Sequence, residues 1–599
     1  MDLKEYKKKI ANLSVNEQKL RDLYLRDMAL GKVQGPPTGY ASIDKPWLKY
    51  YSEEHIMAEI PHMTAYEYLK KCNENNMDLL AIDSMEGQYT YKDVFDIVDQ
   101  IANSLYAMKI EKGKKVMMML PPISFESFLF YGVDKVGAAI SEVPIQTTID
   151  DLINKINKLD MSLLFVSDFL LSEEDEKQIY EKTSISNIIT LGEKKFKDER
   201  TISWNDFIEK GKGVNLPNIN RNPEDLLFIA STGGSTGEPK SVMLNDECFN
   251  VAVHQYLNSD LNYDAGDKWL RLWSLFSASA VVANNHLPLC AGMNSVIRPF
   301  PIDINDFDRI VYDSKTEHLM LIPQLLDVLE KSELLKDENL SYIKTVGCGG
   351  LAITSSFEEK VANFFKRHNI DTFLGYGWGC TESFTLGTIR SNVDNADIGY
   401  VGAPHVNTVV AIFDPTTGEE MKYGEEGEIC VNSSPLMLGY YDDIKMTNDV
   451  LKEHSDGTIW LHTGDLGVMH DNGLLSVKGR MTRTIFVYPT AKVYPTAMEN
   501  ILSKIPGVED VLVGEVEDME HEGFGIPICF VIPSENISQE ELSNDINDAC
   551  EIHFANYARP KDIYFVSEFP RTKVGKKDVR LLEENVKNNR ILTKIKKPN

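Results

Sequence analysis

From about Met63 onward two textures alternate along the chain. Short apolar runs, KKVMMMLP (114–121), SLLFVSD (162–168), NIITLG (187–192) and LLFIAS (226–231), are separated by longer stretches in which apolar positions recur every three to four residues. A period near 3.6 marks an amphipathic helix, whereas a short, continuous apolar run marks a strand covered on both faces. The alternation therefore predicts a parallel α/β body. HLMLIP (318–323), IKTVGCGG (343–350) and TFLGYGWG (372–379) continue it, each ending in glycine or polar residues. Strand ends of this kind form the ligand crevice of open α/β sheets.

Both ends of the chain depart from this rhythm. Residues 1–32 carry helical periodicity, with Ser14 and Glu17 as a capping box before Leu20, Leu23 and Met28, and GKVQGPPTGY then breaks the pattern. The aromatic cluster Trp47, Tyr50 and Tyr51 that follows either packs on the main body or docks a partner. After about residue 480 the pattern predicts a small α+β unit: strands near 484–488, 509–516, 526–532 and 562–569, a helix after Pro495, and another opened by Ser538 and Glu541. The predicted organisation is thus an N-terminal helical extension and Gly/Pro-rich linker (1–60), a large α/β domain (61–479) and a small C-terminal domain (480–599).

Composition narrows what the body can do. The 599 residues carry 62 basic and 91 acidic side chains, a net charge of −29. That balance opposes nonspecific contact with nucleic acid or an anionic membrane, so any polyanionic ligand must meet a local basic site. One such concentration lies at the C-terminus, where the last 29 residues hold ten basic and three acidic side chains. The eight cysteines show no CxxC pair and no zinc spacing, and read as free thiols of a cytoplasmic protein. Leu272–Ile297 lacks Asp, Glu, Lys and Arg, but its asparagines, Pro288 and central His286 predict buried core, not membrane insertion.

The most informative segment is LLFIASTGGSTGEPKS, residues 226–241, where an apolar strand enters a loop of glycines, hydroxyl residues (Ser231, Thr232, Ser235, Thr236) and Lys240. Glycines let backbone N–H groups turn toward an anion, hydroxyls add donors and the lysine adds charge, so the loop can cradle phosphate. It is not a P-loop, because Glu238 and Pro239 separate Gly237 from the lysine. It also fits G-x-S-x-G around Ser235, a serine-hydrolase alternative that the Glu238-Pro239 continuation disfavours, since the residue before proline avoids the helix a nucleophile elbow needs.

At this point the sequence resembles the adenylate-forming superfamily: acyl-CoA synthetases, nonribosomal peptide synthetase adenylation domains and luciferases. Thr232–Lys240 is similar to its phosphate-binding signature, and Trp378-Gly379-Cys380-Thr381-Glu382 to its aromatic-Gly-x-Thr-Glu motif. GEEGEICV (424–431), His462-Thr463-Gly464-Asp465 with DNGLLSVKGR ending at Arg480, and PRTKVGKK (570–577) follow in the family's order. The resemblance implies a large N-terminal α/β domain of parallel sheets plus a smaller β region, and a small mobile α+β cap carrying a catalytic lysine. It implies activation of a carboxylic acid by ATP and Mg2+ to an acyl-adenylate, then transfer to a thiol of CoA or of a carrier-protein phosphopantetheine. Loading an acyl or peptidyl carrier protein without CoA is the alternative within the family.

Residue by residue, the resemblance puts Thr232, Ser235, Thr236, Gly237 and Lys240 at the β and γ phosphates, and Glu382 at Mg2+ with Thr381 beside it. Trp378 would stack on adenine, Asp465 would bind the ribose hydroxyls, and Arg480 would reach ribose or phosphate. Lys576 would bridge the substrate carboxylate and α-phosphate, two anions that repel unless positive charge gathers between them. Ser277, Ala278, Val281, Gly349 and Gly377 fall at the acyl pocket. Ser277 stands where amino-acid-activating members place an aspartate; a serine cannot neutralise an ammonium group, so an α-amino acid is disfavoured and the largely uncharged pocket is expected to suit an aliphatic, aryl or hydroxylated acid. Departures cluster at the second half-reaction. Thr482 occupies the hinge position usually held by Asp or Lys, and VYPTAKVYP (487–495) lacks the usual glycine, while Gly233 and Ser241 replace a serine and a glycine.

Overall fold

The structure is a computed structural model and describes residues 17–33, 35, 37–219, 221–232, 240–259, 261–298, 303–349, 355–383, 387–389, 400–433, 436–488, 491–521, 523–534, 537–571, 577–588 and 594–595. The apolar runs form two large, mainly parallel sheets. One is ordered Gly439–Tyr440, Ser241–Asn245, Leu226–Ser231, Ala139–Glu142, Lys115–Met119, Leu163–Ser167, Asn187–Leu191 and Thr201–Ser203. The other is ordered Leu374–Gly375, Thr345–Cys348, His318–Leu321, Lys268–Arg271, Asn294–Ile297, Leu80–Ser84 and Gly87–Thr90. In both, parallel strands at the centre read as unbroken apolar runs because helices cover both faces, and Leu163–Ser167 is buried at every position. TFLGYGWG gives only the two-residue strand Leu374–Gly375 before the chain leaves the sheet.

The helix Ile149–Leu159 shows how the covering elements are specified. Thr148 caps it by accepting the Asp151 N–H, and Asp160 ends it in the left-handed region at φ 52°. Leu152, Ile153, Ile156 and Leu159 point into the core with Ile229, Leu164 and Val166. At about 1.5–3 kcal/mol for each fully buried side chain, this face outweighs the cost of one poorly solvated polar group on the same helix. Lys155 is such a group.

The charge-free stretch is buried core, as expected. It folds into Ala278–Val281, a π turn Val282–His286, Leu287–Cys290 and the strand Asn294–Ile297. His286 at its centre meets Tyr131 Oη at 3.0 Å and Asn250 Oδ1 at 2.9 Å, and burial pushes its pKa down to about 3, so it is neutral. No helix among the described residues is long and apolar enough to cross a membrane. All eight cysteines are free thiols.

A third, antiparallel sheet (Thr408–Phe413, Glu426–Ser433, Ile459–Met469, Leu451–Glu453, with Leu475–Arg480 on Ile459–Met469) packs against the N-terminal extension. Of the two roles expected for the aromatic cluster, packing is the one observed: Trp47 is fully buried and Tyr51 nearly so, among Val410, Ile412, Ile429 and Val431. Tyr51 Oη donates to Pro404 O at 2.9 Å, and Ser42 binds Glu420 through its N–H (3.0 Å) and hydroxyl (2.6 Å). Gly473, at φ 86°, is required here, since a Cβ would lie 2.5 Å from the Trp47 amide nitrogen. The helix over 17–29 is present, while the Ser14 cap lies outside the described residues.

Beyond Arg480 a turn, Met481–Arg483, leads to the C-terminal sheet Val508–Glu517, Gly525–Pro533, Ile563–Phe565 and Lys594–Ile595, with helices Pro495–Leu502, Gln539–His553 and Val579–Lys587. Ser538 accepts the Glu541 N–H at the start of Gln539–His553, and Leu542, Ile546 and Cys550 face the core of this unit.

Candidate active site

The loop expected to hold phosphate leaves the sheet between two antiparallel neighbours, Leu226–Ser231 and Ser241–Asn245. Its ends are clamped: Ser231 pairs with Ser241, and Thr232 N–H donates to Lys240 O at 2.9 Å. Ser235, Thr236 and Gly237 lie outside the described residues, as does Lys576.

Lys240 is half-buried, with its ammonium 4.9 Å from the Tyr440 ring centroid and 3.4 Å from the Tyr440 hydroxyl. No carboxylate among the described residues pairs with it, which leaves its charge available to an anion. Tyr440 stands on the neighbouring edge strand, its hydroxyl donating to Glu382 Oε1 at 2.7 Å. Burial and the adjacent Glu382 carboxylate push the Tyr440 phenol well above its ordinary value, so it stays protonated as a donor. Glu382 sits in the turn Thr381–Ser383, and its backbone carbonyl accepts the Met437 N–H at 3.2 Å. Sequence reasoning missed Tyr440, because Gly439-Tyr440 looks like any short apolar edge; its one signal is position, beside the strand that starts after Lys240. Tyr440→Phe keeps the ring and deletes one hydrogen bond to a charged group, about 1.4 kcal/mol or tenfold. The expected outcome is a fall of that order in kcat at saturating ATP with an unchanged melting temperature, read by steady-state kinetics and calorimetry.

The segment 378–382 joins this cluster to a second one. The Trp378 indole is 8% exposed, packs against Gly387, and donates its N–H to Asp465 Oδ2 at 2.8 Å. Arg480 Nε reaches the other oxygen, Oδ1, at 2.8 Å, and a further guanidinium nitrogen donates to Thr463 O at 2.8 Å. Register explains the meeting, since Asp465 and Arg480 are direct partners across antiparallel strands. Gly464, at φ 73°, makes the turn that presents Asp465, a conformation few other residues adopt.

That turn is held from behind. Glu428 Oε1 accepts the Gly464 N–H (2.9 Å) and Oε2 meets His462 Nδ1 (2.7 Å), while His462 Nε2 meets His454 Nε2 at 3.0 Å. Glu428, Cys430 and His462 place donor atoms within 4.8 Å of one another, a spacing a metal could use. Their oxygens and nitrogens are already hydrogen-bonded, and burial holds the Cys430 thiol far above its usual range, so the geometry is that of a brace. Burial opposes charge on Glu428, yet its bonds from His462 and Gly464 hold its pKa below the ordinary value. A depressed carboxylate stabilises the fold above its unfolded pKa and loses that contribution as pH falls through the folded value. Glu428→Gln should therefore flatten the acid limb of the melting-temperature profile between about pH 5 and pH 3.

On the acid side, Ser277 caps Ala278–Val281, its hydroxyl accepting the Ala280 N–H at 3.2 Å and lying 3.3 Å from Ser279 Oγ. Ala278 and Val281 are 1% and 0% exposed within the largest core cluster. A Cβ on Gly349 would meet nothing within 4 Å among the described residues, and the Gly349 N–H donates to Leu321 O. Gly377 lies immediately before Trp378.

Comparison with known proteins shows the family of the chain. The model of the AMP-binding enzyme family matches residues 69–441, and that of the AMP-binding enzyme C-terminal domain matches 497–576. Among curated proteins the chain is similar to 4-coumarate–CoA ligase 1 of Solanum tuberosum, 24% identical over 535 residues, covering 87% of this chain and 94% of that ligase. Among solved structures it is similar to the anthranilate CoA ligase AuaEII in complex with anthranoyl-AMP, with TM-score 0.77, 20% identity, and 89% and 99% of the two chains covered. ATP-bound MatB from Rhodopseudomonas palustris gives TM-score 0.76 at 19% identity, covering 88% and 100%.

Proposed function

The chain belongs to the AMP-binding enzyme family and is an AMP-forming ligase, and from that premise we propose that it joins ATP and a carboxylate whose remainder carries no charge into an acyl-adenylate, releases pyrophosphate, and passes the acyl group to the thiol of CoA. The observation that carries this reading is the convergence of Trp378, Asp465 and Arg480: a buried carboxylate with both oxygens fixed, beside an indole and a guanidinium. That set suits a nucleoside monophosphate, with the ring against adenine, the carboxylate on the ribose hydroxyls and the guanidinium toward ribose or phosphate.

Lys240 and Thr232, with Ser235, Thr236 and Gly237, hold the β and γ phosphates. Glu382 and the Thr381 hydroxyl are hard oxygen donors of the kind Mg2+ takes, and the Tyr440 bond orients the carboxylate. Bound Mg2+ would supply neutralising charge at the phosphate oxygens. Tyr440 holds Glu382 and Lys240 at one place, so the acid and the cation meet the polyphosphate as a preset pair. Lys576 then stabilises the charge that builds between attacking carboxylate and α-phosphate, and the C-terminal domain, reorienting at Thr482, exposes the adenylate to the thiol. The role of Ser277, which lacks any charge for an ammonium, favours aryl or aliphatic acids, in keeping with the acids named in the similar ligases.

The test is an ATP–pyrophosphate exchange panel across fatty, aryl and amino acids, followed by mass detection of product with CoA or with a phosphopantetheinylated carrier protein. Exchange with aryl or fatty acids and a CoA thioester are expected. Exchange confined to α-amino acids would overturn the substrate class, and product formed only on the carrier would replace CoA as acceptor.

A further inference from the structure

The helix Ile149–Leu159 brings one polar side chain to the mouth of the phosphate loop. Along the strand Leu226–Ser231 alternate residues share a face, so Ser231 lies on the side of Ile229, which packs with the apolar stripe of that helix. Lys155 comes off the helix over this face, and its ammonium donates to the Ser231 hydroxyl. Ser231 is the residue before Thr232, where the loop begins. The helix is fixed to the site's other wall as well: Tyr441 Oη donates to Leu159 O at 3.2 Å, and Tyr441 N–H to Ser241 O at 2.8 Å. Lys155, the two strands flanking the loop and Tyr440 are therefore parts of one packed unit.

The surroundings of Lys155 are unusual for this chain. Several other partly buried lysines have acids against them: Lys344 lies 2.7 Å from Asp264 and Asp267, Lys360 2.5 Å from Asp327, and Lys577 2.6 Å from Asp510. Among the described residues Lys155 has none, and the charge that acts on it is the positive one of Lys158. Burial, with Lys158 next in effect, pushes its pKa down to about 8. An ammonium kept from water beside a hydroxyl, with no anion supplied by the described residues, is a group whose charge awaits an external partner.

We propose that Lys155 is a positioning cation for the polyphosphate of the substrate, binding the γ-phosphate end of ATP and the departing pyrophosphate from the side opposite Lys240, through and beside Ser231. This rests on the reading of residues 232–240 as the phosphate loop and adds a residue that none of its motifs contains. The ligand chemistry is specific: a di- or triphosphate engages Lys155, whereas AMP, which ends at the α-phosphate, does not reach it.

The experiment measures binding, independent of turnover. Pyrophosphate and AMP are titrated separately into the full-length protein by calorimetry, for wild type, Lys155→Met and Lys155→Arg, with the melting temperature of each ligand-free protein recorded. The expected result for Lys155→Met is pyrophosphate binding weakened by about tenfold or more, AMP binding unchanged within about twofold, and a melting temperature equal to or above wild type, since an unpaired buried charge has been removed. Lys155→Arg should recover part of the pyrophosphate affinity. The inference is overturned if pyrophosphate and AMP weaken together, or if neither changes. Should Lys155→Met melt well below wild type, Lys155→Gln takes its place with the same criterion, the ratio of the two affinities. Failure of the proposed function shows elsewhere, as absence of acid-dependent exchange in the wild type, so the two outcomes are distinct.

Discussion

Lys576→Ala is expected to slow acid-dependent ATP–pyrophosphate exchange by roughly 10²–10³-fold, the cost of losing one preorganised donor from a charge-developing transition state. Its KM values should move little, because in the proposed role the lysine acts where carboxylate and α-phosphate meet and contributes least before they do. Lys576 lies outside the described residues, but its neighbour supplies the control. Lys577 is bound to Asp510 at 2.6 Å and forms a backbone bridge with Arg571. Lys577→Ala removes a charge the fold already neutralises, so its effect should stay near the 0–1 kcal/mol typical of partly exposed pairs. Exchange at the wild-type rate in Lys576→Ala would remove the lysine from the mechanism, and equal losses in the two variants would point to disruption of the loop as a whole. Thioester formation from a supplied acyl-adenylate should survive in Lys576→Ala, since that step has no two anions to bring together.

Asp465→Asn should have the second-largest effect, of a different kind. The carboxylate is 7% exposed and accepts from Trp378 on one oxygen and from Arg480 on the other. An asparagine keeps the shape but turns an N–H toward one of those two donors, so Trp378 or Arg480 loses its acceptor and the ribose loses a charged one. Hydrogen bonds to a charged group contribute about 1.5–3 kcal/mol, which corresponds to KM for ATP raised by roughly 10- to 150-fold. A lower melting temperature should accompany it, in contrast to Tyr440→Phe. KM unchanged within about twofold, at 1.4 kcal/mol per decade, would show that Asp465 braces the strand pair without meeting the nucleotide.

Much of the body was legible because its signals are local. A buried parallel strand needs an unbroken apolar run, and LLFIAS or SLLFVSD can be little else. The Lys240 loop could be located from its own turn chemistry, whereas Glu382, Asp465 and Arg480 could be located through the resemblance of their motifs to those of the adenylate-forming superfamily. What escaped depends on register between distant segments. Glu428 meets His462 and Gly464 only because two antiparallel strands align with a bulge between Glu428 and Cys430. Tyr440 reaches Glu382 across 58 residues of chain, and nothing near either one announces the other. Lys155 is harder still, since on a helix with an apolar stripe a lysine off that stripe reads as solvated surface. The aromatic cluster at 47–51 left two readings open, and only the shape of its receiving face, with Gly473 beneath Trp47, decides between them.

That buried N-terminal segment has a bearing on where the protein can be divided. The family match starts at residue 69, whereas the cooperative unit starts at least as early as the helix over 17–29, which shares a core with the strands on either side of Asp465. Homology and folding thus draw different borders. A body trimmed to the family's edge would lose Trp47 and Leu48 from beneath the sheet that carries Asp465. The sheet that bears Asp465 is packed by residues the family's shared pattern does not include, and a graft of this body into another scaffold would have to bring them along.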